Sequence, residues 1–545
     1  MKRKSEAERY VSGARWSIID AGTSLVLGLA SAILLARVFG ATTLGAFAIA
    51  SLLTGSFGLV ANVRQQGGLV RELTRHEPGS PESRALLWVT LVFSAGLMAL
   101  LFAPFGALAI VLLNSAFGRP ELVGPFLLLA AGFLVLDNTS FNLTAPLAAY
   151  RDGRAVWLGR TTQVVATVAA ALTCAALDLR SVYAIVGCNV FAAACGVVVR
   201  LWSVARLTGL RCSRADLRWA VGRLRAILSF GLRQAPTNYT ETAIRYAGTT
   251  ILGLTVPLAA LGAYNRAYQL FERAAAVPVQ VSGLYFPTLC AMFVRGDRDG
   301  MARVYRLTVR YLVLVLLPGV TWLAVASPAV MALFGPGFEQ ASAALAVLGF
   351  AVVVDTYGRL AGGVSSAANQ PGRISIITLI GALTNVGLCL ALIPPFGLVG
   401  AASATLGGFA VATVVSAVLA AGTLHRPVAW MYEPGFLVRL CLACGLMAAL
   451  LAPLHALPGR LVWMLLAAPF ALAAGLVLAR PLHRADEPVL ERALAAAGIR
   501  KPRIVGLVLA VHARIARGSR PENAEGRAVT ARPVEAFPSS PPVSG

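Results

Sequence analysis

Charge is what this sequence has least of. Only 13% of its 545 residues are Asp, Glu, Lys or Arg, half the share of about a quarter that covers a soluble domain. A water-soluble globule is excluded, because most of the surface must face something other than water. Acid is scarcer than base, with 24 Asp and Glu against 47 Lys and Arg, and only Lys2, Lys4 and Lys501 are lysines. The five His residues (His76, His425, His455, His483 and His512) fall in loops, span ends or the tail and receive no role. Of eight Cys, seven lie in apolar segments, and Cys441-x-x-Cys444 sits on one continuous helix without a second pair or a nearby His. They read as small apolar residues rather than a metal or redox centre. No Gly-rich phosphate cradle and no nucleophile–base arrangement is present. Neither a catalytic residue, a metal nor a cofactor is therefore expected.

What the chain has instead is apolar length. It is 57% hydrophobic, with a mean hydropathy of +0.74. A bilayer core about 30 Å thick needs roughly 20 consecutive apolar residues per helix. Fourteen such stretches can be read, at about 16–38, 43–63, 85–107, 122–148, 155–177, 181–201, 228–255, 262–290, 304–326, 341–367, 373–393, 398–422, 435–456 and 461–480. The expected fold class is an all-α integral membrane protein with about 14 transmembrane helices.

The net charge of +23 could suggest nucleic acid, but its placement points to a membrane. With the N-terminus inside, inner connections collect Arg64, Arg71, Arg75 and Arg84, then Arg151 and Arg154, then Arg295, Arg298, Arg303 and Arg306. The richest runs from Arg200 to Arg225, whereas outer connections hold only Arg119, Arg180 and Arg460. Such asymmetry marks cytoplasmic loops. Both termini are expected in the cytoplasm of a bacterium, with the chain in its plasma membrane. Lys2, Arg3, Lys4, Arg9 and Arg15 precede the first apolar run without a small-residue cleavage site, so a retained first span is expected. Membrane lipids are partners, and nucleic acid is not.

The first twelve stretches repeat. Leu44-Gly45-Ala46-Phe47 returns as Leu261-Gly262-Ala263-Tyr264, and Tyr150–Arg154 corresponds to Asn369–Arg373. The turn at Leu177–Ser181 matches Pro394-Pro395-Phe396-Gly397 at a similar offset. A period of six spans puts partners on the same side of the membrane, which implies two parallel lobes with a cavity between them. The expected division is 1–202 for the N-terminal six-helix lobe, 203–227 for a basic cytoplasmic linker, and 228–424 for the C-terminal lobe. Residues 425–480 hold spans 13 and 14, and 481–545 form a cytoplasmic tail. In that tail, 489–516 read as short amphipathic helix on the inner leaflet, and disorder is expected from about 518.

Particular runs now resemble a known family. They are Gly13-Ala14-Arg15-Trp16-Ser17, Ala36-Arg37-Val38-Phe39-Gly40, Leu261–Tyr268, Phe286-Pro287, Leu333-Phe334-Gly335 and Leu392–Thr405. In this order, over about residues 10–425, they look like the polysaccharide-transporter branch of the multidrug/oligosaccharidyl-lipid/polysaccharide superfamily. Asn62–Gln66 departs from the Asp/Gly-containing stretch that relatives often carry there. The resemblance to Wzx-type flippases implies a fold similar to the multidrug (MATE) transporters. It also implies movement of an undecaprenyl-pyrophosphate-linked oligosaccharide to the outer leaflet for exopolysaccharide, capsule or O-antigen synthesis. Alternating access coupled to an ion gradient, and polysaccharide polymerase and export machinery as partners, come with it.

Ionisable residues at membrane depth need a partner or a wet cavity. Span 7 carries Arg233, Asn238, Tyr239, Glu241 and Arg245, and span 10 carries Asp355 and Arg359. Arg266, Glu272 and Arg273 fall in span 8, Arg160 in span 5, Asp137 in span 4 and Asp20 in span 1. Guanidinium groups match phosphate oxygens bidentately, and amides and Tyr hydroxyls suit sugars. Arg233, Asn238, Tyr239, Arg245, Arg266, Arg359 and Arg160 are therefore the candidate lumen residues. Asp20, Glu241 and Asp355 are the candidates for ion coupling. The four-residue spacings Glu241–Arg245 and Asp355–Arg359 also allow plain structural pairs along one helix face. Alternative cargoes are lipid II and, for an antiporter of the same superfamily, cationic drugs, which an Arg-bearing lumen would repel. A membrane glycosyltransferase or polymerase would need a sizeable outer loop with acids. The longest outer connections, about 108–121 and 327–340, have only Glu121 and Glu339.

Overall fold

A computed structural model describes residues 6–61, 65–209, 211–368, 371–480, 482–483 and 516–517. Its elements are α1 (Glu6–Ala61), α2 (Gln65–Leu73), α3 (Pro81–Ser115), α4 (Val123–Gly132), α5 (Asn138–Ala149), α6 (Gly153–Ala176), α7 (Val182–Thr208) and α8 (Arg214–Thr255). They continue with α9 (Leu258–Val294), α10 (Arg298–Ala332), α11 (Ser342–Ala367), α12 (Pro371–Leu424), α13 (Val428–Tyr432), α14 (Pro434–Leu451) and α15 (Arg460–Ala479). The protein is all-α apart from a two-residue parallel pairing of Leu482–His483 with Ala516–Arg517. The amphipathic helix expected at 489–516 and the tail beyond it otherwise lie outside the described residues.

Ten helices among the described residues are long and apolar enough to cross a membrane. That number is smaller than the fourteen expected stretches. Two adjacent stretches share one label in α1 and again in α12, where the non-helical torsions of Gly40 (φ 74°) and Gly397 (φ 53°) separate two helices at a kink. A residue without Cβ takes these left-handed torsions at no steric cost. Helices α8 and α9 have 42 and 37 residues but are not among the ten. They carry the charges the sequence places in spans 7 and 8.

Local chemistry sets the starts of the helices. Ser181 and Ser80 accept the backbone N–H groups of Ala184 and Ser83, each at 3.2 Å, and Pro81 opens α3. Asp152 and Asp297 do the same for α6 and α10, and Ser213 with Asp216 closes a reciprocal capping box at α8. These side chains satisfy donors that a helix leaves orphaned.

The chain divides into two compact units: Met1–Met431 with Ala452–Leu465, and Tyr432–Leu451 with Leu466–Gly545. In the second unit, the Gly475 Cα lies so close to the Ala443 carbonyl that only Gly fits, which brings α14 and α15 together. Within the first unit, α10 and α11 are central: 61% of the apolar stretch of α11 is buried against 22% of that of α3. Helix α3 leaves Leu100, Leu108 and Val111 exposed, as a lipid-facing surface requires.

The two copies of the Leu-Gly-Ala-aromatic repeat meet each other. A Cβ on Gly45 would overlap the Leu258 carbonyl, and one on Gly262 would overlap the Ala41 carbonyl. Ala41 precedes Gly45 by four residues, as Leu258 precedes Gly262, so the contact is reciprocal. Leu44, Ile49, Leu261, Ala263 and Tyr264 around it are buried. Beside this seam the Arg37 Nε donates to the Leu333 carbonyl at 2.8 Å, joining two of the family-like runs.

Candidate substrate site at membrane depth

Two groups of polar side chains lie on helices of the first unit. In the N-terminal half, α6 turns Arg160 toward α1, and its Nη1 donates to Asp20 at 2.6 Å. One turn away the Trp157 indole N–H donates to the Thr23 hydroxyl at 3.0 Å, and the Trp157 ring lies 5.1 Å from that of Trp16. The candidates Asp20 and Arg160 are thus each other's partners, 140 positions apart. Arg200 of α7 is buried and donates to the Ser140 hydroxyl, in a space that Gly159 leaves open on α6. It also feels the charges of Asp137, Asp20 and Arg160. Asn142, inside the Asn142-Leu143-Thr144 sequence, is buried and bonds Ser94 at 3.0 Å.

The C-terminal half is more basic. Asp355 and Arg359 form the expected pair along α11, with 2.6 Å between Oδ2 and Nε. Arg245 reaches across to Glu272 of α9 at 3.1 Å instead of being served only along its own helix. The side chains of Glu241, Arg233 and Asn238 lie outside the described residues. Tyr239 is exposed, and so is more than half of the Arg245 side chain.

Arg266 stands apart. It is 5% exposed, its Nη1 donates to the Gln269 amide oxygen at 2.6 Å, and its Nε has no partner. Seven residues on, Arg273 occupies the same side of α9, and its guanidinium lies against Gly28 of α1, where a Cβ would come within 2.7 Å of Nη1. That Nη1 also has no partner. The candidates therefore meet Glu272 and Arg273, which the sequence placed in span 8 without assigning them to the lumen or to ion coupling. The heptad spacing from Arg266 to Arg273 was a readable signal; the cross-helix reach of Glu272 was not. Among the described residues, Arg245, Arg266, Arg273 and Arg359 stand with two carboxylates, Glu272 and Asp355. The buried Arg266 guanidinium, with Arg273 beside it, favours an anion. Among the described residues, no group of three or more His, Cys, Asp or Glu is placed to hold a metal ion.

Residues 34–343, more than half of the chain, match the family model described as polysaccharide biosynthesis protein. The chain belongs to this family. Two relatives come from Haloferax volcanii. The protein named probable flippase AglR is 30% identical over 175 residues, which cover 31% of this chain and only 36% of that protein. A protein named as a probable low-salt glycan biosynthesis flippase is 23% identical over 398 residues, 70% of this chain and 77% of its own length. Among solved structures, the lipid II flippase MurJ in an inward closed conformation superposes with a TM-score of 0.67 at 13% identity, covering 85% of this chain and 98% of that one. An inward-facing multidrug resistance MATE family transporter of the MOP superfamily gives 0.61 at 14% identity, covering 76% and 96%. At such identities the likeness shows the fold. This polysaccharide biosynthesis protein is thus a multi-pass membrane protein with the fold of the solved MOP-superfamily transporters.

Proposed function

We propose that this polysaccharide biosynthesis protein is a flippase for undecaprenyl-pyrophosphate-linked oligosaccharide. It would move the repeat unit of an exopolysaccharide, capsule or O-antigen from the cytoplasmic to the outer leaflet of a bacterial plasma membrane. The observation that carries this reading is Arg266, a buried guanidinium at membrane depth whose one hydrogen-bond acceptor is a neutral amide. With Arg273 beside it, it suits a pyrophosphate, because a fixed fork of donors satisfies two phosphate oxygens at once. A cationic drug would meet repulsion there, and the name of one archaeal relative, a probable low-salt glycan biosynthesis flippase, fits a glycan cargo. In this reading Arg245, Arg359, Tyr239, Arg233 and Asn238 line the same path, and Arg160 holds the N-terminal wall through Asp20.

The mechanism proposed is alternating access between two six-helix lobes, 1–202 and 228–424, joined by the linker 203–227. Spans 13 and 14 complete fourteen, and both termini are cytoplasmic. Gly40 and Gly397 fall in the outer turns of this topology, so the Gly45–Gly262 seam is the outer closure and the cargo enters from the inside. Asp355, Glu241 and Asp20 are the acids through which an ion gradient would drive the cycle, and polymerase and export machinery would receive the product.

The test is Arg266→Gln and Arg273→Gln in a complementation assay for surface polymer. Polymer should fall severalfold at normal protein level, since a charge-assisted hydrogen bond contributes about 1.5–3 kcal/mol. Full polymer production by both variants would remove the anion site from this cluster.

A further inference from the structure

A cavity of about 280 Å³ lies in the N-terminal half, with Tyr246, the neighbour of Arg245, as the part of its wall nearest the arginine cluster. It is walled by the second half of α1, by α4 and the turn after it, by α6 and α7, and by Tyr246 of α8. Among its lining residues are Ser51, Phe133, Asp137, Gln163, Asn189 and Tyr246. Asp137 ends a five-residue π-helical turn, Phe133–Asp137, which interrupts the path from α4 to α5. Such turns re-aim side chains and recur at functional sites. The neighbouring Asn138 and Asn142 bond Ser94 instead.

The chemistry of the walls is mixed in a specific way. The Asp137 carboxylate and the Gln163 amide make no hydrogen bond within the protein among the described residues. Asn189 spends one of its two amide N–H groups on the Ile185 carbonyl at 2.8 Å, which leaves the other N–H as a donor and the amide oxygen as an acceptor. Opposite them the rings of Tyr246 and Phe133 sit in notches on α1, where Gly55 and Gly58 have no Cβ to obstruct them. A space with free acceptors, amide donors and aromatic faces suits a molecule that is hydroxylated on its rim and apolar on its face.

Charge narrows the ligand further. Asp137 interacts electrostatically with Arg200, a buried cation. Arg200 offsets part of the Asp137 charge, and Asp137 adds hydrogen-bond acceptors to the cavity wall. Size sets the rest, because small-molecule pockets span roughly 300–1,000 Å³. A space at the lower end holds one ring, not a chain of them.

We propose that the cavity around Asp137, Gln163 and Asn189 is a subsite for one neutral sugar residue of the lipid-linked glycan. The inference rests on the flippase reading and adds a division of labour. The arginines of α8, α9 and α11 take the pyrophosphate, and the α4–α6–α7 cavity takes a sugar.

The full chain in nanodiscs tests this with two probes, undecaprenyl pyrophosphate and the same lipid carrying one N-acetylglucosamine. The wild type should bind the sugar-bearing probe about tenfold more tightly, the value of one or two neutral hydrogen bonds. Gln163→Leu with Asn189→Leu should equalise the two affinities while binding of the bare lipid stays unchanged. Ala193→Phe, which fills the cavity, should have the same effect and serves if the first pair misfolds. Equal affinity of the wild type for both probes would overturn the subsite, as would equal weakening of both by the variants. A sodium-dependent gain in binding that Asp137→Asn abolishes would also overturn it, in favour of a cation site. If the wild type bound neither probe, the flippase reading itself would fail and take the subsite with it.

Discussion

The reciprocal glycine contact between α1 and α9 is the place where a single methyl group should change the conformational balance. At Gly45 and Gly262 the atoms that a Cβ would meet are the backbone carbonyls of Leu258 and Ala41. Backbone cannot swing aside as a long side chain can, so the helices must separate. Overpacking a tight contact costs about 1–3 kcal/mol, and Val at position 45 sits at the upper end of that range. At about 1.4 kcal/mol per factor of ten, a cost of about 3 kcal/mol shifts the balance between closed and open seams by roughly 100-fold. A protein that is 99% closed would then have its seam open about half the time. The assay is labelling of a single Cys at position 263, which is buried in the closed seam, in a chain whose native cysteines are replaced. A membrane-impermeant maleimide added from outside should label Gly45→Val and Gly262→Val far faster than the parent. Gly96→Val, where a Cβ would meet nothing within 4 Å, should leave the rate unchanged. Unchanged labelling in folded Gly45→Val and Gly262→Val would refute the assignment of this seam as the outer closure.

Two further outcomes are expected. The Sγ atoms of Cys174 and Cys188 lie 3.5 Å apart between α6 and α7, so mild oxidation should join them, as seen by peptide mapping without reductant; failure to couple would mean a different register of these helices. Transport in sealed vesicles should follow an imposed pH gradient and lose that response in Asp355→Asn or Glu241→Gln, whereas indifference to both the gradient and the substitutions would exclude these acids as the coupling groups.

How much of this was legible in the sequence depended on range. The Asp355–Arg359 pair was readable because a helix places residues four apart on one face. The Asp20–Arg160 bridge was not, since no local rule links positions 140 apart; each residue could only be flagged as a charge needing company. The repeat offset made Gly45 and Gly262 equivalent positions, yet equivalence does not say that the two copies touch. Composition gave the membrane class, and the apolar stretches that hydropathy divided near residues 40 and 397 are separate helices meeting at Gly40 and Gly397. In the site, Arg273 was visible as a heptad neighbour of Arg266. Asp137 depends on a π-helical turn that no spacing announces.

The central claim is that this polysaccharide biosynthesis protein moves a lipid-linked glycan between leaflets. Its most direct measurement is flipping by the purified protein in proteoliposomes, with an undecaprenyl-pyrophosphate-linked oligosaccharide placed in one leaflet and detected by a glycan-modifying enzyme confined to the other side. The account predicts protein-dependent appearance of the glycan on the far side, slowed severalfold by Arg266→Gln. A glycan that stays in its original leaflet, in vesicles where the protein is folded and carries any required ion gradient, would contradict it.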